Sequence, residues 1–338
     1  MTEFYWLILL AAFVASAGIT GLVRAYARRV DLLDVPNDRS SHDLATPRGG
    51  GLSIALTVLV ALVFLHSRGD VESAIFWPLF LGSSAIAAIG FIDDHRHVPA
   101  IVRFSVHIVV AVAVTLVWGG FSSLQIGDTS LDLGFAGLVL SVGFIAWFVN
   151  AFNFMDGIDG IASVEAVTVA AAGAWLLASG STGEISGIAA VVAATTAGFL
   201  LWNWPPARIF MGDVGSGFLG FMLVAFALAS HVTGGIEIWG WLILMGVFLV
   251  DATITLITRF IRGADWASAH RSHAYQKAAR RWGSHLVVTS TVLAVNVVWL
   301  LPLAFLAVRE PQNGWWLTAI AWAPLVVAAL YIGSGRPD

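Results

Sequence analysis

A chain of 338 residues, 58% of them hydrophobic and only 11% charged, has too little polar surface to cover a soluble globule and is expected to be an integral membrane protein. Its net charge of −4 says less than the places where the charges fall. With no cysteine, disulfides, thiolate metal sites and a cysteine nucleophile are excluded.

A span takes about 20 apolar residues. Runs of that kind between polar breaks predict eleven, at 4–24, 49–66, 74–92, 101–118, 136–152, 161–179, 185–201, 215–232, 236–258, 285–307 and 315–333, with the seventh and eighth the weakest. The expected fold class is therefore an all-α polytopic membrane protein, a single integral domain over 1–338, with no repeat, low-complexity tract or soluble domain. The first run follows Glu3 and precedes Arg24, Arg28 and Arg29, the reverse of a signal peptide, so an uncleaved span with its N-terminus outside is expected. On that orientation fifteen Lys and Arg fall on one side and only Arg68 and Arg309 on the other. The excess marks the first side as cytoplasmic, and an odd number of spans puts the C-terminus there too.

The polar stretches on that side carry the candidate chemistry. The first loop, 34–51, reads D-V-P-N-D-R-S-S-H-D-L-A-T-P-R-G-G-G. Pro36 and Pro47 stiffen it, and the triple glycine opens the second span with exposed backbone N–H groups suited to anions; an ordinary turn-rich loop accounts for it equally well. The third span ends in G-F-I-D-D-H-R-H, where Asp93 and Asp94 repel unless a cation sits beside them. A divalent metal, a catalytic base, or a plain pair of helix-end charges would each explain them. Arg103 could fold back towards a phosphate. On the other side, alternating polar and apolar residues around Gly127-Asp128 predict a small hairpin near 122–134.

Residues 150–162, N-A-F-N-F-M-D-G-I-D-G-I-A, concentrate oxygen ligands where the chain leaves a span. Asp156 and Asp159 at i and i+3 share a face if the backbone is helical, and the glycines let it bend instead. Ionised Asp near hydrocarbon marks a functional candidate; two helix caps are the plainer reading. At 203–217, N-W-P-P-A-R-I-F-M-G-D-V-G-S-G, Asp213 opens a helix where a phosphate could sit, and Phe210 offers an aromatic face for a nucleobase or simply packs. The last loop contains A-H-R-S-H-A-Y-Q-K-A-A-R-R, whose His270, Arg271 and His273 suit a diphosphate or an anionic lipid surface. A His pair can bind zinc, but the acids nearby are hard oxygen donors, which favours magnesium or manganese. Glu165 and Asp251 lie deeper in their spans without an assignable role.

Taken together, P-N-D-R-S-S-H with T-P-R-G-G-G, the pair at 93 and 94, N-A-F-N-F-M-D-G-I-D-G, I-F-M-G-D-V-G-S and the histidine loop, in that order across 34–276, closely resemble the polyprenyl-phosphate N-acetylhexosamine-1-phosphate transferase family. Two departures stand out: His97 occupies a position where many members carry another acidic or basic residue, and H-R-S-H-A-Y-Q is sparser in histidine than the peptidoglycan and common-antigen enzymes. The chain is most similar to the branch that initiates O-antigen or related surface polysaccharide.

The resemblance implies transfer of a sugar 1-phosphate from a UDP-N-acetylhexosamine to undecaprenyl phosphate, releasing UMP, at the cytoplasmic face of a bacterial inner membrane, with no nucleic-acid partner and a possible homodimer. It implies magnesium, or manganese, on Asp213 with Asn153 nearby. Asp93 is implied as the base with Asp94 assisting, and Asp156 and Asp159 as the acids for the nucleotide and the metal's outer shell. Phe210, Asn150, Asn153, Arg48, Arg103, His270, Arg271 and His273 are implied in substrate binding. The peptidoglycan, teichoic-acid or common-antigen members of the family are the alternative. An intramembrane aspartyl protease needs two acids facing one another deep in the bilayer, and a transporter tends to show inverted repeats; neither pattern is found in this sequence.

Overall fold

The computed structural model describes residues 3–35, 45–178, 183–264 and 271–337. The P-N-D-R-S-S-H segment and His270 lie outside them. The described helices are α1 (Glu3–Arg29), α2 (Gly51–Ser67), α3 (Ser73–His95), α4 (Ala100–Trp118), α5 (Gly134–Met155), α6 (Ile161–Leu177), α7 (Gly183–Asn203), α8 (Asp213–Val232), α9 (Ile238–Leu244), α10 (Gly246–Ile261), α11 (Ala274–Trp282), α12 (His285–Ala294), α13 (Leu301–Arg309) and α14 (Gly314–Ile332). A π-helical turn, Val295–Leu300, joins α12 to α13. Among the described residues eight helical segments are long and apolar enough to cross a membrane, α9 with α10 forms a bent ninth, and α2 and α6 are shorter apolar helices of 17 residues each. Every run expected from the sequence contains a helix, and the protein is an all-α polytopic membrane protein.

Among the eight long helices the two weakest runs are the most enclosed. The apolar windows of α7 and α8 are 72% and 94% buried inside the protein, so their small and polar residues meet other helices rather than lipid. Glycines let α8 come that close. A Cβ on Gly90 of α3 would stand 2.4 Å from the Asp213 carbonyl oxygen, and one on Gly51 of α2 would stand 2.2 Å from the Cα of Gly215. Both approaches occur at the end of α8 that carries Asp213, so the same packing that inserts the helix fixes that side chain's origin.

The single ninth span expected at 236–258 is corrected: the chain bends by 79° between α9 and α10. No proline lies there; the freed backbone groups find partners from other helices, as hydrocarbon requires. Trp322 Nε1 donates to the Leu242 carbonyl at 2.9 Å. The Phe248 N–H, in the first turn of α10, faces the Glu165 carboxyl of α6. Glu165 also accepts from Asn296 Nδ2 at 2.7 Å. Asn296 sits in the π turn, just before Pro302, which has no N–H to give the Val298 carbonyl. Glu165→Ala is therefore expected to lower stability by about 1–3 kcal/mol, read as thermal unfolding in detergent, with Glu165→Gln costing less; equal melting of Ala variant and parent would contradict this.

The hairpin is present, with β3 (Ser123–Ile126) paired to β4 (Thr129–Asp132) and Gly127, at φ +59°, first in the two-residue turn. It packs by way of Gln125, whose carbonyl accepts from Trp239 Nε1 at 2.7 Å, and Gly127 N–H, which donates to Gln312. At the opposite end of the bundle, β1 (Leu33–Asp34) pairs with β2 (Thr46–Pro47), closing the base of the first loop. From β2 onward that loop pairs with the 208–211 segment: Phe210 N–H donates to Pro47, and Gly50 and Gly51 donate to Phe210 and Met211.

Candidate active site

Two carboxylates from different helices meet at this second end. Arg103 of α4 places one guanidinium nitrogen, Nη1, 2.5 Å from Asp93 Oδ2 at the end of α3 and 2.5 Å from Asp213 Oδ2 at the start of α8. Asp93 Oδ1 accepts from the Val98 N–H at 2.7 Å, and Asp213 Oδ1 accepts from Asn153 Nδ2 at 2.8 Å. All three charged side chains stay partly open, at 10%, 28% and 30% exposure for Asp93, Arg103 and Asp213. Arg103, expected to reach back to a phosphate, here spends its charge on the two acids.

Asp94, expected to assist Asp93, faces the start of α8. It is buried, and its two oxygens accept the N–H groups of Asp213 at 3.0 Å and Val214 at 3.1 Å. These are orphan donors of a helix start, where an anionic cap is most favourable. Gly212, at φ +76°, lets the chain pass over that carboxylate; a Cβ there would come within 2.7 Å of it. Arg48 Nη2 in turn donates to the Asp94 main-chain oxygen at 2.5 Å. Asp94 and Arg48 thus aim Asp213, and α3, α8 and the first loop are tied together at one point.

Residues 150–160 do not continue as one helix. α5 ends at Met155, the Asp156 N–H closes on the Asn153 carbonyl, and Gly160 takes φ +75° to start α6. Asn153, expected at the metal beside Asp213, turns its amide nitrogen to Asp213 Oδ1 and to Ser216 Oγ, each at 2.8 Å. Asp156 follows the last turn of α5 and is half-buried. Burial, then the carboxylates of Asp213, Asp94 and Asp159, push its pKa well above the usual carboxylate range. Asp159 turns to the other side, with Oδ1 3.3 Å from His285 Nδ1 and Oδ2 accepting from the Ala207 N–H at 3.0 Å. Asn150 points along α5 to the Ala146 carbonyl and to His107 of α4 at 3.1 Å. Neither Asp159 nor Asn150 joins the Asp93–Asp213 pair by a direct bond.

Phe210 is half-buried on the 204–212 segment beside this cluster. His97 is exposed in the turn after α3. The last loop departs most from expectation. It contains α11, an amphipathic helix whose Ala274, Tyr275, Gln276, Ala278 and Ala279 are buried. His273 is its N-cap, is itself buried, and lies 3.6 Å from Asp251 of α10, so it is packed away rather than open to a diphosphate. Arg271 is exposed. Two groups with no role in the sequence reading, Tyr275 and Asp251, prove to be built into this region. The signal for α11 was legible in A-Y-Q-K-A-A-R-R followed by Gly283, helix formers ending on a left-handed glycine at φ +65°.

Among the described residues no three Asp, Glu or His side chains converge as a ready-made metal cage. A cage of that kind is what zinc or calcium would need; magnesium more often uses one or two carboxylates and completes its shell with water and substrate phosphate. Asp213 and Asp93, bridged by one cationic nitrogen and surrounded by further acid, have the donor chemistry for it.

Comparison with known proteins defines the class as membrane phosphotransferases. Residues 76–231 match the family model described as glycosyl transferase family 4. The chain is 30% identical, over 83% of its length and 78% of the relative's, to a probable undecaprenyl-phosphate N-acetylglucosaminyl 1-phosphate transferase of Bacillus subtilis (strain 168). It is 30% identical, over 86% and 80%, to a decaprenyl-phosphate N-acetylglucosaminephosphotransferase of Mycobacterium leprae (strain TN). To a phospho-N-acetylmuramoyl-pentapeptide-transferase of Bacillus pumilus (strain SAFR-032) it is also 30% identical, over 64% and 69%. The chain belongs to the polyprenyl-phosphate N-acetylhexosamine-1-phosphate transferase family.

Proposed function

We propose that this enzyme transfers an N-acetylhexosamine 1-phosphate from its UDP-sugar to undecaprenyl phosphate at the cytoplasmic face of a bacterial inner membrane, opening the assembly of O-antigen or another surface polysaccharide. The observation that carries the reading is the meeting of Asp93 and Asp213, 120 residues apart in sequence, on one Arg103 nitrogen at the glycine-packed mouth of α8. The names of the relatives supply the class of donor and acceptor.

The chemistry needs two anions brought together. An oxygen of the lipid phosphate forms a bond to the β-phosphorus of the UDP-sugar, the bond from that phosphorus to the bridging oxygen breaks, and UMP leaves with the oxygen. Magnesium held by Asp213 and Asp93 would neutralise diphosphate charge. With a second pKa of about 6, the lipid phosphate is mostly dianionic already, so Asp93 can help hold metal instead of serving as the base, and direct attack needs no covalent enzyme intermediate. Arg103, released from the acids, meets charge building on the transferred phosphoryl group. Asn153 holds the Asp213 carboxylate in orientation, and Phe210 stacks against the uracil ring.

The sparse histidine loop favours a plain N-acetylhexosamine over a peptide-bearing sugar. UMP release by purified protein with undecaprenyl phosphate should therefore occur with UDP-N-acetylglucosamine, its galacto isomer or a 6-deoxy N-acetylhexosamine. It should be absent with UDP-N-acetylmuramoyl-pentapeptide. Preference for the pentapeptide donor would move the protein to the peptidoglycan branch.

A further inference from the structure

We infer that Asp251 is a positioning residue for the transfer: by anchoring the first turn of α11 it fixes Tyr275 on the Phe154 carbonyl, and so holds the Asn153–Asp156 turn against Asp213. The inference rests on the reaction proposed above.

Asp251 is 6% exposed, inside α10, and its contacts among the described residues include the first turn of α11 and the C-terminal segment. Oδ1 accepts from the Ala274 N–H at 2.8 Å and from Thr255 Oγ1 at 3.1 Å, and Oδ2 accepts from the Tyr275 N–H at 3.0 Å. His273 Nδ1 lies 3.6 Å away, and Ser334 of the C-terminal segment donates at 3.4 Å. A carboxylate under the open N–H groups of a helix start is favourably placed, but burying it within a span costs free energy that a neutral cap would avoid. What the charge secures lies one residue further along.

Tyr275 is itself buried, and its hydroxyl donates to the Phe154 carbonyl at 2.9 Å. Burial first, then the charges of Asp251 and Asp156, push its pKa well up, so it stays a donor. Phe154 is flanked in sequence by Asn153, which orients Asp213, and the turn continues to Gly157, where a Cβ would stand 2.2 Å from the Tyr275 hydroxyl. That glycine leaves the tyrosine one seat. The line from Asp251 through α11 to Phe154 and Asn153 reaches the acid pair without either Asp251 or Tyr275 touching it. A shift of about 1 Å at a reacting centre can cost about a hundredfold in rate.

The test uses full-length protein in detergent, measuring kcat, KM for UDP-N-acetylglucosamine and thermal unfolding for Asp251→Asn, Asp251→Glu, Tyr275→Phe, the Asp251→Asn/Tyr275→Phe double variant, and Ser334→Ala. Expected are losses in kcat of about tenfold or more for Asp251→Asn and for Tyr275→Phe, KM within about twofold, and partial recovery with Glu. The double variant should be little worse than Asp251→Asn alone, because both act through Phe154. Ser334→Ala removes only the long 3.4 Å contact to Asp251 and leaves its bonds to Ala274 and Tyr275 in place, so it should keep kcat within about twofold of the parent. If Asp251→Asn does not fold, Tyr275→Phe removes a single oxygen and decides the matter alone. Parental kcat in Tyr275→Phe, losses that multiply in the double variant, or an equal loss in Ser334→Ala would each overturn the inference while leaving the reaction standing. An inactive parent protein would overturn both.

Discussion

Asp213→Asn abolishes transfer, with kcat down by at least about a thousandfold, while the protein still inserts and melts near the parental temperature. The two halves of that result have separate causes. Asp94 caps α8 through the backbone N–H groups of residues 213 and 214, which the substitution keeps, so the helix start survives. The side chain is another matter. Asp213 accepts from Asn153 on one oxygen and from Arg103 on the other, and an amide in its place would turn an NH2 towards one of these two donors. It would also remove the charge that makes the pair with Asp93 attractive to a divalent cation. Kinetics on purified protein, with melting as the control, check this; activity within tenfold of the parent would remove Asp213 from the proposed machinery.

Arg103→Ala is expected to lower kcat about a hundredfold and, less obviously, to lower the magnesium concentration needed for half-maximal rate. In the structure one guanidinium nitrogen occupies the space between Asp93 and Asp213. Removing it leaves two carboxylates facing each other without their cation, a repulsion that added metal relieves. A magnesium titration of the variant against the parent is the readout. An unchanged half-saturation point would mean that arginine and metal do not compete for the same two acids.

Much of this architecture is legible in the sequence because the bilayer imposes it. Long apolar runs have to be helices, and the alternation around Gly127-Asp128 can only pay off as a hairpin. The grouping of the acid-bearing segments also follows from charge asymmetry along the chain, and the structure brings Asp93, Asn153 and Asp213 together. Where the reading falls short, the deciding partner is remote. The bend at Met245 has no proline to announce it; it depends on Trp322 and Glu165, 77 residues after and 80 before. Asp94 looks identical to Asp93 in sequence, yet one caps α8 and the other faces Arg103, a difference set by which side of α3 packs on Gly212. His273 reads as an open ligand until Asp251, 22 residues earlier, is seen beneath it. The helix α11 alone carried a local signal that composition of the surrounding basic loop obscured.

The transfer of phosphorus from nucleotide to lipid can be followed atom by atom. Purified protein is given UDP-N-acetylglucosamine labelled with 32P at either the α or the β position, together with undecaprenyl phosphate and magnesium. The β-label should move into the organic phase with the lipid while α-label stays in water as UMP, and chelation of the metal should stop both. Label released as inorganic phosphate, α-label entering the lipid, or β-label remaining wholly with the nucleotide would contradict it.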